Sequence, residues 1–264
     1  MLARRRRRRA RRLDPRRRHD LLDLRKQGLV GVSAEGLCAE RILLTLQNRT
    51  DRSLRVAVPL GTRFRAHGSH QDVVLRHPYR LQLPPRCEVQ AHLPFFCLEA
   101  FARSPAWGDA FGPPRRLRGP LHRFLLHASG LQPAAAQAGI WTLTDGCTRA
   151  DVRRRLVCED GSGRHQAAIS HAAMDQAQTL LDDLAIEHHL GPTRADQLDR
   201  IEELVRAGGR RGEAARWALE LAAEDFARHG PAHAHSVESR GLLVRVLAWD
   251  RRVADALAAG AVLA

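Results

Sequence analysis

A cysteine and a glutamine stand in the two stretches of this sequence that are best suited to chemistry. Cys97 lies in Phe95-Phe96-Cys97-Leu98, at the end of an apolar run that predicts a strand, where a thiol can be held dry until it is attacked. Gln137 lies in a run (Ala-Gln-Ala-Gly-Ile-Trp, 136–141) that predicts a helix. Because Trp141 follows Gln137 by four residues, a helix places the indole over the same face as the carboxamide, where it can shield that group from water.

Together the two stretches resemble the paired motifs of the thioester domains found in surface adhesins of Gram-positive bacteria. These motifs are an aromatic-Cys-apolar triplet and a Gln followed three residues later by an apolar residue and Trp. The resemblance implies a bond between the Cys97 sulfur and the Gln137 side-chain carbonyl, formed with loss of ammonia, that acylates amines on a target. It makes Cys97 the nucleophile, Gln137 the acyl donor and Trp141 the shield. The alternative is structural: Cys97 is a small buried hydrophobe, and Gln137 and Trp141 pack a helix onto the sheet.

An arginine-rich arm over residues 1–20 is the second feature with a possible function. Its arginines are Arg4, Arg5, Arg6, Arg7, Arg8, Arg9, Arg11, Arg12, Arg16, Arg17 and Arg18. Against Asp14 and Asp20 they give the arm a net charge of +9, out of +14 for the whole chain. Such a dense run of like charges predicts a disordered segment that binds phosphate backbones without sequence specificity. The alternatives are a solvated tail or a start codon assigned too far upstream.

The remaining sequence motifs favour neither a metal site nor a common enzyme class. The densest histidine groupings are His188-His189 and His229, His233 and His235, whose spacing on a Gly-Pro-Ala loop does not match a zinc helix or knuckle, so we expect no metal and no cofactor. Gly161-Ser162-Gly163 lacks the glycine and lysine of a phosphate loop, and no GxSxG or HExxH motif occurs. We therefore expect a protein that is not an enzyme.

The elements that must position these residues change in character near residue 100. Strand-like runs separated by polar turns fill residues 27–100 and predict an antiparallel β-sandwich, in which Ile42-Leu44-Leu46 and Leu54-Val56-Val58 form a hairpin. Residues 101–120 are rich in Pro, Gly and Arg and predict a connector. Residues 121–264 predict an all-α domain of bundled helices, with caps at Thr148-x-x-Asp151 and Thr193-x-x-Asp196. The predicted fold class is α+β.

Composition limits where the protein acts and with what. Five cysteines without CxxC spacing indicate reduced thiols, no apolar segment follows the arm to complete an export signal, and no run is long enough to span a membrane. We therefore expect a cytoplasmic protein without a membrane partner. The sequence favours an interaction or scaffold module that binds another protein, with nucleic-acid binding through the arm and thioester chemistry as the two alternatives.

Overall fold

The computed structural model of this protein describes residue 14 and residues 17–155, 157–159, 165–206, 211–230 and 233–249. The chain forms two compact units, Met1–Leu190 and Gly191–Ala264. Strands and helices share the first unit, and the described part of the second is helical. The predicted α+β class is confirmed at the level of an antiparallel sheet at the N-terminal end followed by helices.

The largest sheet of the first unit has seven strands. They are β2 (Val30–Cys38), β3 (Arg41–Asn48), β5 (Thr62–Phe64), β6 (Val73–Leu75), β8 (Glu88–Cys97), β9 (Ala110–Phe111) and β10 (Arg115–Arg116). Their order is β10-β5-β6-β8-β3-β2-β9, and every neighbouring pair is antiparallel. Ile42, Leu44 and Leu46 alternate with more exposed residues along β3, so one face of this strand lies in the core.

A second sheet shows that the predicted hairpin of residues 42–46 with 54–58 is wrong. Its three strands are β1 (Arg18–Asp20), β4 (Leu54–Val58) and β7 (Tyr79–Leu83), in the order β1-β4-β7 with β1 parallel to β4. β3 and β4 therefore belong to different sheets. The buried Asn48 redirects the chain between them, because its carboxamide donates to the carbonyls of Arg52, Leu83 and Pro84 and accepts from Thr50.

Residues 101–120, which the composition predicts to be a connector, are part of the first unit. They supply the two edge strands of the large sheet, with β9 pairing to β2 and β10 pairing to β5. The segment approaches β2 closely because Gly36 has no side chain: a Cβ there would lie 2.0 Å from the Ala106 carbonyl oxygen. Arg103 donates to both carboxylate oxygens of Asp109 and fixes the loop in place.

Helices complete the first unit and share one apolar core with its strands. They are α1 (Leu21–Lys26), α2 (Gly119–His127), a 3₁₀ turn (Ala128–Gly130), α3 (Pro133–Asp145), α4 (Arg149–Arg155) and α5 (His171–Asp183), with a hairpin of β11 (Val157–Glu159) and β12 (His165–Ala167) before α5. The core runs without interruption from Leu21 to Leu190. This continuity is the physical reason that the chain divides after residue 190 and not within the predicted connector.

The second unit contains α6 (Arg194–Arg206), α7 (Arg211–His229) and α8 (Ala234–Trp249). These helices bury a separate apolar cluster that includes Ile201, Leu221 and Val246. The predicted cap before α6 is confirmed, because Thr193 and Asp196 exchange hydrogen bonds, and the Thr148–Asp151 pair does the same before α4. Among the described helices, none combines the length and the apolar character that crossing a membrane requires.

Candidate functional site

Helix α3 and the end of strand β8 position the candidate site. Pro133 stands in the first turn of α3, where its fixed φ suits a helix and its missing N–H leaves no bond unmade. Gly146 ends the helix in a left-handed conformation with φ of 65°. Residues 135–142 of α3 are all buried, and Gly139 leaves room for the Phe124 ring of α2, which would lie 2.2 Å from a Cβ at that position.

Cys97 and Gln137 are in direct contact, although 40 residues separate them along the chain. The backbone N–H of Cys97 donates to the Gln137 side-chain oxygen Oε1 at 3.0 Å. The Gln137 side-chain nitrogen Nε2 donates in turn to the Cys97 carbonyl at 2.7 Å. Both residues are buried, with 8% of Cys97 and 9% of Gln137 exposed. The carboxamide is therefore fixed beside the residue whose thiol would react with it.

The contact exists because β8 is longer than its neighbour β3. The N–H of Leu98 donates to Asp72 on the β6 side, and the N–H of Phe95 donates to Glu40 on the β3 side. Since backbone groups alternate in direction along a strand, the N–H and carbonyl of Cys97 face the β3 side, beyond the last pair, Arg41 with Pro94. The side chain of Gln137 occupies that position and satisfies both groups, as the backbone of a neighbouring strand would.

A cavity of about 540 Å³ adjoins this contact within the first unit. Cys97, Gln137 and Trp141 all line it, so the three residues predicted from the sequence share one site. Its other lining residues are Ala39, Glu40, Gln71, Arg76, Ser104, Pro133, Ala134, Arg155, Ala168 and Ile169. The cavity is large enough for a lysine side chain or a small amine to reach the wall that Cys97 and Gln137 form.

The electrostatics of the cavity act on the Cys97 thiol in opposite directions. Burial raises the pKa of Cys97 to about 11, while the guanidinium groups of Arg76 and Arg155 and a hydrogen bond from Ser104 partly offset that rise. Arg76 donates to the Phe95 carbonyl at 2.6 Å and lies over the Phe96 ring, and Arg155 donates to the Ala102 carbonyl at 2.5 Å. At neutral pH the thiol is therefore protonated, with two cations nearby to stabilise any negative charge.

Two polar atoms of residues that line the cavity have no hydrogen-bond partner within the described part of the chain. They are the side-chain oxygen Oε1 of Gln71 and the indole nitrogen Nε1 of Trp141, both buried. The nitrogen of the Gln71 carboxamide is engaged, donating to the Ala102 carbonyl at 2.8 Å. A buried acceptor and a buried donor without partners each lower the stability of the fold, because most buried polar groups in proteins are hydrogen-bonded.

Most of the predicted nucleic-acid arm lies outside the described residues, including Arg4 to Arg9, Arg11, Arg12 and Arg16. Arg17 and Arg18 are described. Arg18 begins β1 opposite Arg55, and Asp20 caps α1 by accepting from the N–H of Leu22. The predicted disorder therefore does not extend to residues 18–20, because pairing with β4 orders them. Gly161-Ser162-Gly163 also lies outside the described residues.

The histidine groupings have two different surroundings. His188 makes a hydrogen bond of 2.9 Å with Asp182, and the backbone N–H of His189 donates to Thr142. In the second unit the rings of His229, His233 and His235 contact one another, and Asp225 lies beside them. Sequence reasoning missed Asp225, although its spacing of four residues from His229 on a predicted helix was a usable signal.

No family model matches the chain, and comparisons with curated proteins and with solved structures found no match. The geometry of the site is therefore the basis for assigning a function.

Proposed function

We propose that Cys97 and Gln137 form an internal thioester, and that the protein uses it to attach covalently to an amine on a partner. One observation carries this proposal: the Gln137 carboxamide is hydrogen-bonded on both sides to the backbone of Cys97, in the wall of a cavity. The resemblance of the two stretches to thioester-domain motifs concerns the same residues and rests on the sequence alone.

The chemistry of formation is a condensation without redox change. The Cys97 sulfur attacks the side-chain carbonyl carbon Cδ of Gln137, the C–N bond breaks, and the nitrogen leaves as ammonia with the proton that the thiol gives up. The Cys97 N–H, which already donates to Oε1, stabilises the negative charge that develops on that oxygen. In the second step a partner amine attacks Cδ, the C–S bond breaks, an amide to Gln137 forms, and Cys97 regains its thiol.

The environment of Cys97 makes formation of the thioester slow and the finished thioester long-lived. Because burial raises the pKa of Cys97 to about 11, thiolate is scarce at neutral pH and attack on the carboxamide is slow. The same high pKa makes the thiolate a poor leaving group, so the finished bond resists cleavage. Trp141, which is buried and lines the cavity, limits the access of water to that bond.

Methylamine tests the proposal, because it is small enough to enter the cavity and open a thioester. In the full chain we expect one methylamide, located on Gln137 by peptide mass spectrometry, together with one new free thiol. Cys97→Ala should not react. The matched control is Cys147→Ala, since Cys147 is also buried and its pKa is raised to about 11, chiefly by that burial. Labelling that persists in Cys97→Ala, or is absent from the wild type, contradicts the proposal.

As a second function we propose that the protein is a non-covalent interaction module that acts in the cytoplasm. In this proposal its two sheets pack as a β-sandwich. Its support is the exposure of two aromatic residues on the segment after β8: Phe101 is 69% and Trp107 is 77% exposed. Large aromatic side chains at the surface are typical anchors of protein interfaces. In a pull-down assay, the double variant Phe101→Ser/Trp107→Ser should no longer bind a partner protein that Cys97→Ala still binds. If both variants still bind the partner, this alternative is contradicted.

A further inference from the structure

One aspartate and two histidines of the second unit lie close enough to bind one cation. Asp225 and His229 are four residues apart on α7, so they project from the same face of that helix. His235 lies in the first turn of α8. The ligand atoms of these three residues all lie within 4.8 Å of one another. Asp225 is buried, whereas both histidines are exposed, so an ion from solution can reach the group.

The end of α7 and the start of α8 place His235 beside Asp225. Gly230 ends α7 in a left-handed conformation with φ of 79°, and its N–H donates to the Phe226 carbonyl. His233 then caps α8, because its ring nitrogen Nδ1 accepts from the N–H of His235 at 3.2 Å. Among the described residues of this turn, Gly230 adopts its positive φ without steric cost because it has no side chain.

Hydrogen bonds outside the three residues hold their spacing. The Ser236 hydroxyl of α8 donates to the Asp225 carbonyl of α7 at 3.0 Å. Arg194 donates to the Asp225 carboxylate and to the His235 carbonyl, each at 3.2 Å. Partners of this kind orient the residues that bind a metal and so limit the rearrangement that binding requires.

His233 is adjacent but is not suited to bind the ion. A neutral imidazole has only one nitrogen with a free lone pair, and in His233 that nitrogen accepts the helix-capping N–H. The ring instead stacks on His229, with centroids 4.5 Å apart and planes 20° from parallel. His233 therefore restrains the orientation of the His229 ring.

We propose that Asp225, His229 and His235 form a binding site for a divalent transition-metal ion, with zinc as the first candidate. Two imidazoles and one carboxylate suit zinc, cobalt and nickel, and three protein ligands leave a position for water. A tetrahedral zinc site with bonds of 2.0–2.2 Å needs ligand atoms about 3.3 to 3.6 Å apart, which small side-chain rotations reach from the present spacing. The site is independent of the proposed thioester, which belongs to the first unit.

Calorimetric zinc titration of the untagged full chain, with Co²⁺ absorption as a second readout, tests this site. We expect one equivalent to bind, and His229→Gln and His235→Gln each to weaken binding at least about tenfold. Both side chains are exposed, so these variants should fold normally. The matched control is His233→Asn, because asparagine is also a good helix cap. It should bind zinc within about threefold of the wild type, since the residue supplies no ligand.

Several results would overturn the site. One is that the wild type does not bind one equivalent of zinc, and another is that the glutamine variants bind zinc as tightly as the wild type does. If blocking the cysteine thiols abolishes zinc binding while the histidine substitutions leave it unchanged, the ion binds at cysteines and not at this site. A loss in His233→Asn as large as that in His229→Gln would contradict the assignment of Asp225, His229 and His235 as the three ligands.

Discussion

Cys97 and Cys147 are two buried thiols in the same unit, and their surroundings differ. Burial raises the pKa of each to about 11. Around Cys97 the nearby charges are the guanidinium groups of Arg76 and Arg155, which oppose that rise. Around Cys147 they are the carboxylates of Asp145 and Asp151, which add to it. Two features therefore distinguish Cys97 from Cys147: the adjacent Gln137 carboxamide and the sign of the nearby charge.

The largest expected effect comes from removing the carboxamide that distinguishes Cys97. In a Cys97→Ala background, which cannot form a thioester, Gln137→Met keeps the side-chain volume but leaves the residue-97 N–H and carbonyl without their partners. Two buried unsatisfied groups should lower the free energy of unfolding in urea by about 2 to 5 kcal/mol. Gln176→Met, at an exposed position of α5, is the control and should change it by less than about 0.5 kcal/mol. Equal stability of the two variants would contradict the contact.

Alkaline pH should destabilise the protein through the feature that the two thiols share. A folded-state pKa raised from 9.0 to about 11 means that the stabilisation is complete below about pH 9 and is lost as the pH rises through 11. In the Cys97→Ala background, the free energy of unfolding should therefore decrease as the pH rises through this range. Replacing Cys147 with alanine should make that decrease smaller by about 2 to 3 kcal/mol. Urea unfolding at several pH values measures it. If the free energy of unfolding depends on pH in the same way with and without Cys147, burial does not raise the pKa of this thiol.

The smallest expected effect concerns the nearby charges, which differ in sign between the two thiols. In protein opened with methylamine, Arg76→Gln removes one cation that favours the Cys97 thiolate. Alkylation of Cys97 by iodoacetamide should slow by about two- to fivefold, while Cys147 is unaffected. Arg80→Gln, at an exposed position of β7, is the control. An equal change at both cysteines would indicate a general loosening of the fold.

Local sequence patterns predict the strand and the helix that carry Cys97 and Gln137, but the contact between the two residues depends on long-range packing. Pro133 at the start of α3 and the apolar end of β8 were visible in the sequence, and they are the elements that present Gln137 and Cys97. That β8 extends past β3, leaving a place for a glutamine side chain, depends on strand register, which the sequence does not encode locally. The resemblance to thioester-domain motifs was the only sequence signal that paired the two residues.

The incorrect expectations share one physical cause, which is that turn composition does not show where the chain goes next. The polar stretch after β3 reads as a hairpin turn, but the hydrogen bonds of the buried Asn48 carry the chain into a second sheet. Residues 101–120 read as a linker, yet the close approach at Gly36 and the pairing of β9 and β10 make them part of the sheet. Asp225 lies on the helix that precedes the histidine loop, so the spacing of the histidines alone does not indicate it.

The mass of the intact protein, measured under denaturing conditions without reductant or amine, tests the central claim most directly. If Cys97 and Gln137 form a thioester, the wild type and Cys147→Ala are each lighter than their sequences by one ammonia, whereas Cys97→Ala has its full expected mass. A wild-type protein at its full mass, with the Cys97 thiol free, would contradict the thioester and leave the Gln137 contact as a structural bond between α3 and the sheet.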